Sequence, residues 1–156
     1  MPRLLLLTAL SLSAGALPAY AEDWRVVSMG PGQGGALLVD IDSVTRKPGD
    51  VQTAKVLAVY SETGDTKADR TAAVIVDTSF DCKLNRSRSD RLTSYDSEGR
   101  ITLQRPLGDG WEDIRQGTKM EAAVGIACSR AVADEHQFGA GIPIKPIREI
   151  LRINGF

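Results

Sequence analysis

The sequence predicts an α+β fold: one twisted antiparallel sheet of about six strands with one C-terminal helix packed on it. Three observations carry this expectation. In residues 71–82 the even positions Ala72, Val74, Val76, Thr78, Phe80 and Cys82 make one face and the odd positions include Asp77, Ser79 and Asp81, which is the period of a half-buried strand. Asp96-Ser97-Glu98-Gly99 lies between two extended runs and has the chemistry of a hairpin turn closed by a glycine at positive φ. Thr118-Lys119-Met120-Glu121 is a capping box, and Met120, Ala123, Val124, Ala127, Cys128 and Ala131 follow it at helical spacing.

The other elements fall around these three. Trp24 to Met29 reads as a strand, residues 29–35 (MGPGQGG) as a turn, and residues 36–42 (ALLVDID) as a second strand. Asp42 to Thr45 reads as one helical turn, ended by the turn signal Arg46-Lys47-Pro48-Gly49-Asp50. Val51 to Tyr60 is a third strand, and residues 61–70 are an exposed loop. Residues 71–82 form the fourth strand, and 86–95 with 100–105 form the hairpin. Trp111 to Ile114 is a short extended piece before the helix of 118–131. Residues 134–145 look loose, and Pro146 suits the first position of a short helix presenting Ile147, Ile150 and Leu151.

The first 21 residues have the three-part layout of a secretory signal: a short basic start with Arg3, an apolar run from Leu4 to Leu17, and the small-residue cleavage site Ala19-Tyr20-Ala21. That run is too short to span a bilayer, and no later stretch could do so. The division expected is a signal peptide at 1–21, an α+β domain at 22–131, and a C-terminal tail at 132–156 with a possible short helix. The location expected is the periplasm, or the cell surface or exterior after release. The 19 basic and 20 acidic residues include Arg3, so the exported chain has 18 and 20, a formal charge of −2. That balance gives no global field for nucleic acid or anionic lipid.

Cys82 and Cys128 are the only cysteines. In an exported small domain an even count reads first as a disulfide. Strand and helix periodicity each turn one sulfur inward, so a bridge would staple the helix to the sheet. Two free thiols or a metal pair are the alternatives, and only His136 could join the cysteines as a further soft ligand where a structural zinc site needs four. No metal or cofactor is expected.

Catalytic signals are weak. Gly30 to Gly35 fits G-x-G-x-x-G, but a β-type run follows it where a dinucleotide site needs a helix. His136 is the only histidine, and Asp134-Glu135-His136 cannot converge from one helical face. Ser79, Ser87 and Ser89 lack a nucleophile-elbow context. Lys83, Arg86, Arg88 and Arg91 cluster after Cys82. In an extended strand Arg86 and Arg88 share a face and Arg91 takes the other. Arg86, Arg88 and Arg91 are the candidate partner-binding residues, for an acidic glycan, a lipopolysaccharide phosphate or an acidic protein. A charged edge that blocks aggregation is the structural alternative. No interleaved aromatics support nucleic acid.

The succession Trp24, Val39-Asp40, Tyr60, Cys82 with Arg86 and Arg88, Tyr95-Asp96, Gly99, Trp111 and Cys128 resembles the surface-adhesin protein E-like domain of Gram-negative bacteria over roughly residues 22–130. The order and spacing carry the likeness. The resemblance implies an antiparallel sheet of about six strands with a C-terminal helix tied on by the two cysteines. It also implies a surface protein that binds host proteins, although no lipobox cysteine follows the cleavage site. The function expected is a non-enzymatic envelope binding module for an unidentified protein or acidic glycan partner, met by the exposed sheet face or the arginine-bearing hairpin. The alternative is a small periplasmic inhibitor or accessory subunit acting through the 61–70 loop or the tail.

Overall fold

The computed structural model describes residues 22–30, 35–62, 71–129, 137–139 and 141–156. The expected signal segment, His136 and most of the 61–70 loop lie outside these residues. β1 (Trp24–Gly30), β2 (Gly35–Lys47), β3 (Val51–Tyr60), β4 (Ala73–Asp81), β5 (Arg86–Tyr95) and β6 (Ile101–Pro106) form an antiparallel meander. The two-residue strands β7 (Glu112–Asp113) and β8 (Gln137–Phe138) pair with β5 and β1. The sheet therefore has eight strands rather than about six. Strands of two residues carry no alternation for a sequence to display.

Two helices, α1 (Lys119–Ser129) and α2 (Ile144–Ile153), flank this sheet among the described residues. Only one was expected to cover it. The reason lies in strand parity. Val39, Ala54, Val56 and Phe80 pack with Ala123, Val124 and Ala127 of α1. Their strand neighbours Leu38, Leu57, Val59, Ala73 and Ile75 point the other way and pack with Ile144, Ile147 and Leu151 of α2. A central sheet with two apolar faces needs a cover on each. Helix α2 begins at Ile144, ahead of Pro146, and Arg148 fixes it. The Arg148 side chain is 8 % exposed, and its Nε donates to the Tyr60 carbonyl at 3.0 Å.

Asp42 to Thr45 is not a helical turn, because β2 continues to Lys47. The ladder shifts register between Asp40↔Lys55 and Thr45↔Thr53, so a bulge occupies that stretch. Ser43 holds it closed. Its hydroxyl donates to the Asp40 carbonyl at 2.6 Å and accepts the Lys55 N–H at 2.8 Å. The hairpin at 96–99 forms as expected, with Gly99 at φ +78 and the Asp96 carboxylate accepting the N–H groups of Glu98 and Arg100. The Thr118 cap also forms, although Glu121 reaches back to the Gly117 N–H at 2.7 Å rather than to that of Thr118.

Cys82 and Cys128 form a disulfide with Cα atoms 5.7 Å apart, joining the end of β4 to α1. Both residues are partly buried rather than fully shielded. The bridge sits at the rim of the sheet, where the 82–85 turn meets the turn before β3, and a shallow cavity of about 270 Å³ lined by Arg46, Asp50, Gln52 and Lys83 opens on it.

Two outcomes test this packing. Replacing both cysteines by alanine should lower unfolding free energy by about 2–5 kcal/mol in denaturant titrations. Ile147→Ala, which empties a fully buried site under α2, should cost about 2–5 kcal/mol. Values within the scatter of surface substitutions would mean that neither helix is held as described.

Candidate binding surface

Helix α2 covers only part of its face of the sheet. On β4 the residues pointing toward it change character along the strand: Ala73 and Ile75 lie in the core with α2, whereas Asp77, Ser79 and Asp81 continue the same side as polar groups. Directly paired strand residues share a face, so the ladder defines rows across this region. Asp40, Lys55, Asp77 and Arg91 stand in register on β2, β3, β4 and β5, with alternating charge. Asp81 pairs with Arg86 and Ser79 with Arg88.

A bulge decides where the arginines point. The β4–β5 register shifts between Asp77↔Arg91 and Thr78↔Ser89, which leaves Asp90 as the extra residue. One inserted residue reverses the parity that follows. Arg91 therefore lies on the same face as Arg86 and Arg88, opposite to the expectation from simple alternation. The three arginines form one surface with three carboxylates. Arg86 meets Asp81 at 3.1 Å, Arg88 meets Asp90 at 2.7 Å, and Arg91 meets Asp77 at 3.8 Å. Asp90 also accepts the Ser79 hydroxyl at 2.6 Å, which anchors the bulge to β4.

Trp111 completes the surface. The guanidinium carbons of Arg86 and Arg88 lie 5.7 and 5.1 Å from its ring centroid, within cation–π range. Trp111 is partly exposed, so an indole with two guanidiniums beside it faces solvent. Asp81 organises the turn beside it. Its carboxylate accepts the N–H groups of Leu84 and Lys83 as well as the Arg86 guanidinium, and these bonds, that of Leu84 first, hold its carboxyl below the usual range.

A second charged group lies toward β1. Asp40 is 2 % exposed, and burial pushes its carboxyl up, against the opposing effects of the Asp23 N–H, Lys55 and the Asp42 N–H. Its Oδ1 accepts from both N–H groups, at 3.1 and 3.2 Å. Glu22 folds over the same face. Its carboxylate takes the Trp24 indole N–H at 3.1 Å and lies 3.9 Å from Lys55. Burial, then Glu22 and Asp77, raise the Tyr95 hydroxyl.

The remaining sequence candidates separate. Gly35 begins a strand rather than a helix, and it is glycine because a Cβ there would lie 1.9 Å from the Val59 carbonyl oxygen. Ser79 is buried and donates to Asp90. Ser87 and Ser89 line an open groove with Glu112, Asp113, Thr118 and Met120 on the α1 side. No group of three His, Cys, Asp or Glu among the described residues is placed to hold a metal, and no described helix is long and apolar enough to cross a membrane. Sequence reasoning found the arginines but missed Trp111, Asp90 and the acidic partners. The matched parity of Asp77, Ser79 and Asp81 with Arg86 and Arg88 was the available signal.

Fold and surface together define a disulfide-tied antiparallel-sheet domain presenting a mixed-charge, tryptophan-bearing face. The chain belongs to the surface-adhesin protein E family, whose model matches residues 24–129. Among solved structures it is similar to crystal form II of Haemophilus influenzae protein E, at 11 % identity and a TM-score of 0.45, over 60 % of this chain and 80 % of that one. No match was found among curated proteins.

The depressed Asp81 carboxyl gives a signed pH prediction. A carboxylate favoured in the folded state stabilises it above the ordinary value of 3.8, and that contribution is lost as pH falls through the lower folded value. Asp81→Asn should therefore lower stability at neutral pH and flatten the acid limb of a stability–pH profile measured by denaturant melts between about pH 3 and 7. A mutant profile parallel to the wild type would show that Asp81 does not organise the turn.

Proposed function

We propose that the protein is an exported, non-enzymatic envelope binding module that holds a protein partner against Arg86, Arg88, Arg91 and Trp111. One observation carries this reading: Trp111 stands partly exposed beside two guanidiniums that are themselves fixed by Asp81 and Asp90. Tryptophan and arginine dominate binding energy at protein interfaces, and an anchor already ordered in the free protein loses little entropy on association. The carboxylates also select among partners. An acidic glycan or phosphate calls for unpaired cations, whereas each arginine here already has a counter-charge. A mixed-charge protein surface suits this patch better. Family membership supports a surface location, and the signal-like residues 1–21 support export.

The test replaces Trp111 by a photo-crosslinking amino acid in intact cells, with a second probe at Ala122 on the exposed side of α1 as a control. A partner captured only from position 111 is then purified and titrated. Trp111→Ala should weaken its binding by about 2 kcal/mol or more, and Arg88→Ala should weaken it measurably. Retention on a heparin column should be slight and unchanged by these substitutions. Capture only from the α1 probe would exclude this face as the binding surface, and strong heparin retention that Arg86→Glu with Arg88→Glu abolishes would favour the acidic glycan.

A further inference from the structure

We propose that Asp40 is the receptor for the α-ammonium group created when the signal segment is removed, so that processing completes an ion pair on the sheet face. The inference rests on cleavage after Ala21. In that hydrolysis water adds across the Ala21–Glu22 peptide bond. Ala21 leaves as a carboxylate, and the Glu22 nitrogen gains protons to become an ammonium.

The new charge arises beside a nearly buried carboxylate. The Asp23 N–H donates to Asp40 Oδ1 at 3.1 Å. The Glu22 nitrogen is one residue further along the chain, no more than about 7 Å from that carboxylate. Asp40 is 2 % exposed, and the Asp23 and Asp42 N–H groups both donate to its Oδ1. Lys55, its register partner on β3, is shared with Glu22 at 3.9 Å and faces Asp77 on the next strand. A buried carboxylate with a divided counter-ion gains from a second cation.

The local charge balance points the same way. The charged groups around this spot are Glu22 on the incoming segment, Asp40 and Asp42 on β2, Lys55 on β3, Asp77 on β4, and Arg91 with Tyr95 on β5, whereas Arg25, in register with Val39, pairs with Asp23 on the other face. Four carboxylates meet two cations, and Arg91 lies 3.8 Å from Asp77. An ammonium reduces the excess. In the unprocessed chain the same nitrogen is a neutral amide, so the pair exists only after cleavage.

The sign of the pH dependence follows. The folded state favours the ammonium and raises its pKa. Its contribution is complete below the ordinary α-amino value of about 7.7–8.0 and is lost as pH rises through the folded value.

The experiment compares the chain beginning at Glu22 with the same chain carrying Gly-Ser before Glu22. Thermal melts are recorded between about pH 6 and 10. The authentic form should melt about 3 °C or more above the extended form near pH 6.5, and the gap should close at high pH. Asp40→Asn should remove the gap. Should Asp40→Asn fail to fold, an NMR titration of the isotopically dimethylated α-amine in the authentic form replaces it. The group should titrate above that of the same amine in urea-unfolded chain. Equal melting at every pH, a gap that survives Asp40→Asn, or an unshifted amine overturns the ion pair. Intact mass of the protein from the envelope fraction separates the two claims: a start other than Glu22 overturns the cleavage reading and with it the pair's role in the cell, whereas equal melting overturns the pair alone.

Discussion

The docking of α2 on its face of the sheet fixes where everything else on that face can be. Ile144, Ile147 and Leu151 bury against Leu38, Leu57, Val59 and Ile75. The apolar supply on this side ends along a line through β3 and β4, where Leu57 gives way to Lys55 and Ile75 to Asp77. A helix extended past that line would have to desolvate charged groups, which costs far more than the apolar contact returns. The uncovered strip is thus a consequence of strand composition. Arg148, nearly buried, supplies a charged anchor that the arrangement tolerates, because the Tyr60 carbonyl and Glu62 receive its guanidinium.

The opposite face solves a different problem. Helix α1 offers alanines and valine at its contact, so it lies close to the strands but buries little area per residue. Small side chains give a weak hold. The disulfide compensates by limiting how far the unfolded chain can separate α1 from β4. It also ties down the 82–85 turn, and from that turn Asp81 directs Arg86 toward Trp111. Stability of one face and geometry of the other meet at a single turn.

Much of this was legible in the sequence, and the exceptions have physical causes. The strand of residues 71–82, the 96–99 hairpin and the capped helix each carry a local signal strong enough to survive folding. The second apolar face was legible as well, since Ala73 and Ile75 share parity with Asp77. A single strand with mixed residues on one side looks half-buried, however, and only the neighbouring Leu38, Leu57 and Val59 reveal that the side is a core. The bulges at 41–44 and at Asp90 were not readable, because both depend on which partner residue stands opposite. The second reverses the direction of Arg91. Trp111 joins the surface because the chain after β6 runs on along the edge of β5 to β7, a course that no spacing rule encodes. The chemistry of the site was therefore visible as a list of arginines, and its geometry was not.

That geometry changes what the arginines mean. Read as a run, Lys83, Arg86, Arg88 and Arg91 suggest a polycation. Folded, the three arginines alternate with Asp77, Asp81 and Asp90, and the patch is close to neutral. Exposed ion pairs contribute little to stability, typically about 0–1 kcal/mol each. Holding side chains in place is the effect left to them. A free guanidinium on a long side chain samples many rotamers and loses that freedom on binding. Here the carboxylates and the indole have already restricted Arg86 and Arg88. The same contacts that remove the field attracting polyanions leave an ordered array of donors, acceptors and an aromatic face, and such an array discriminates by shape and pairing rather than by charge.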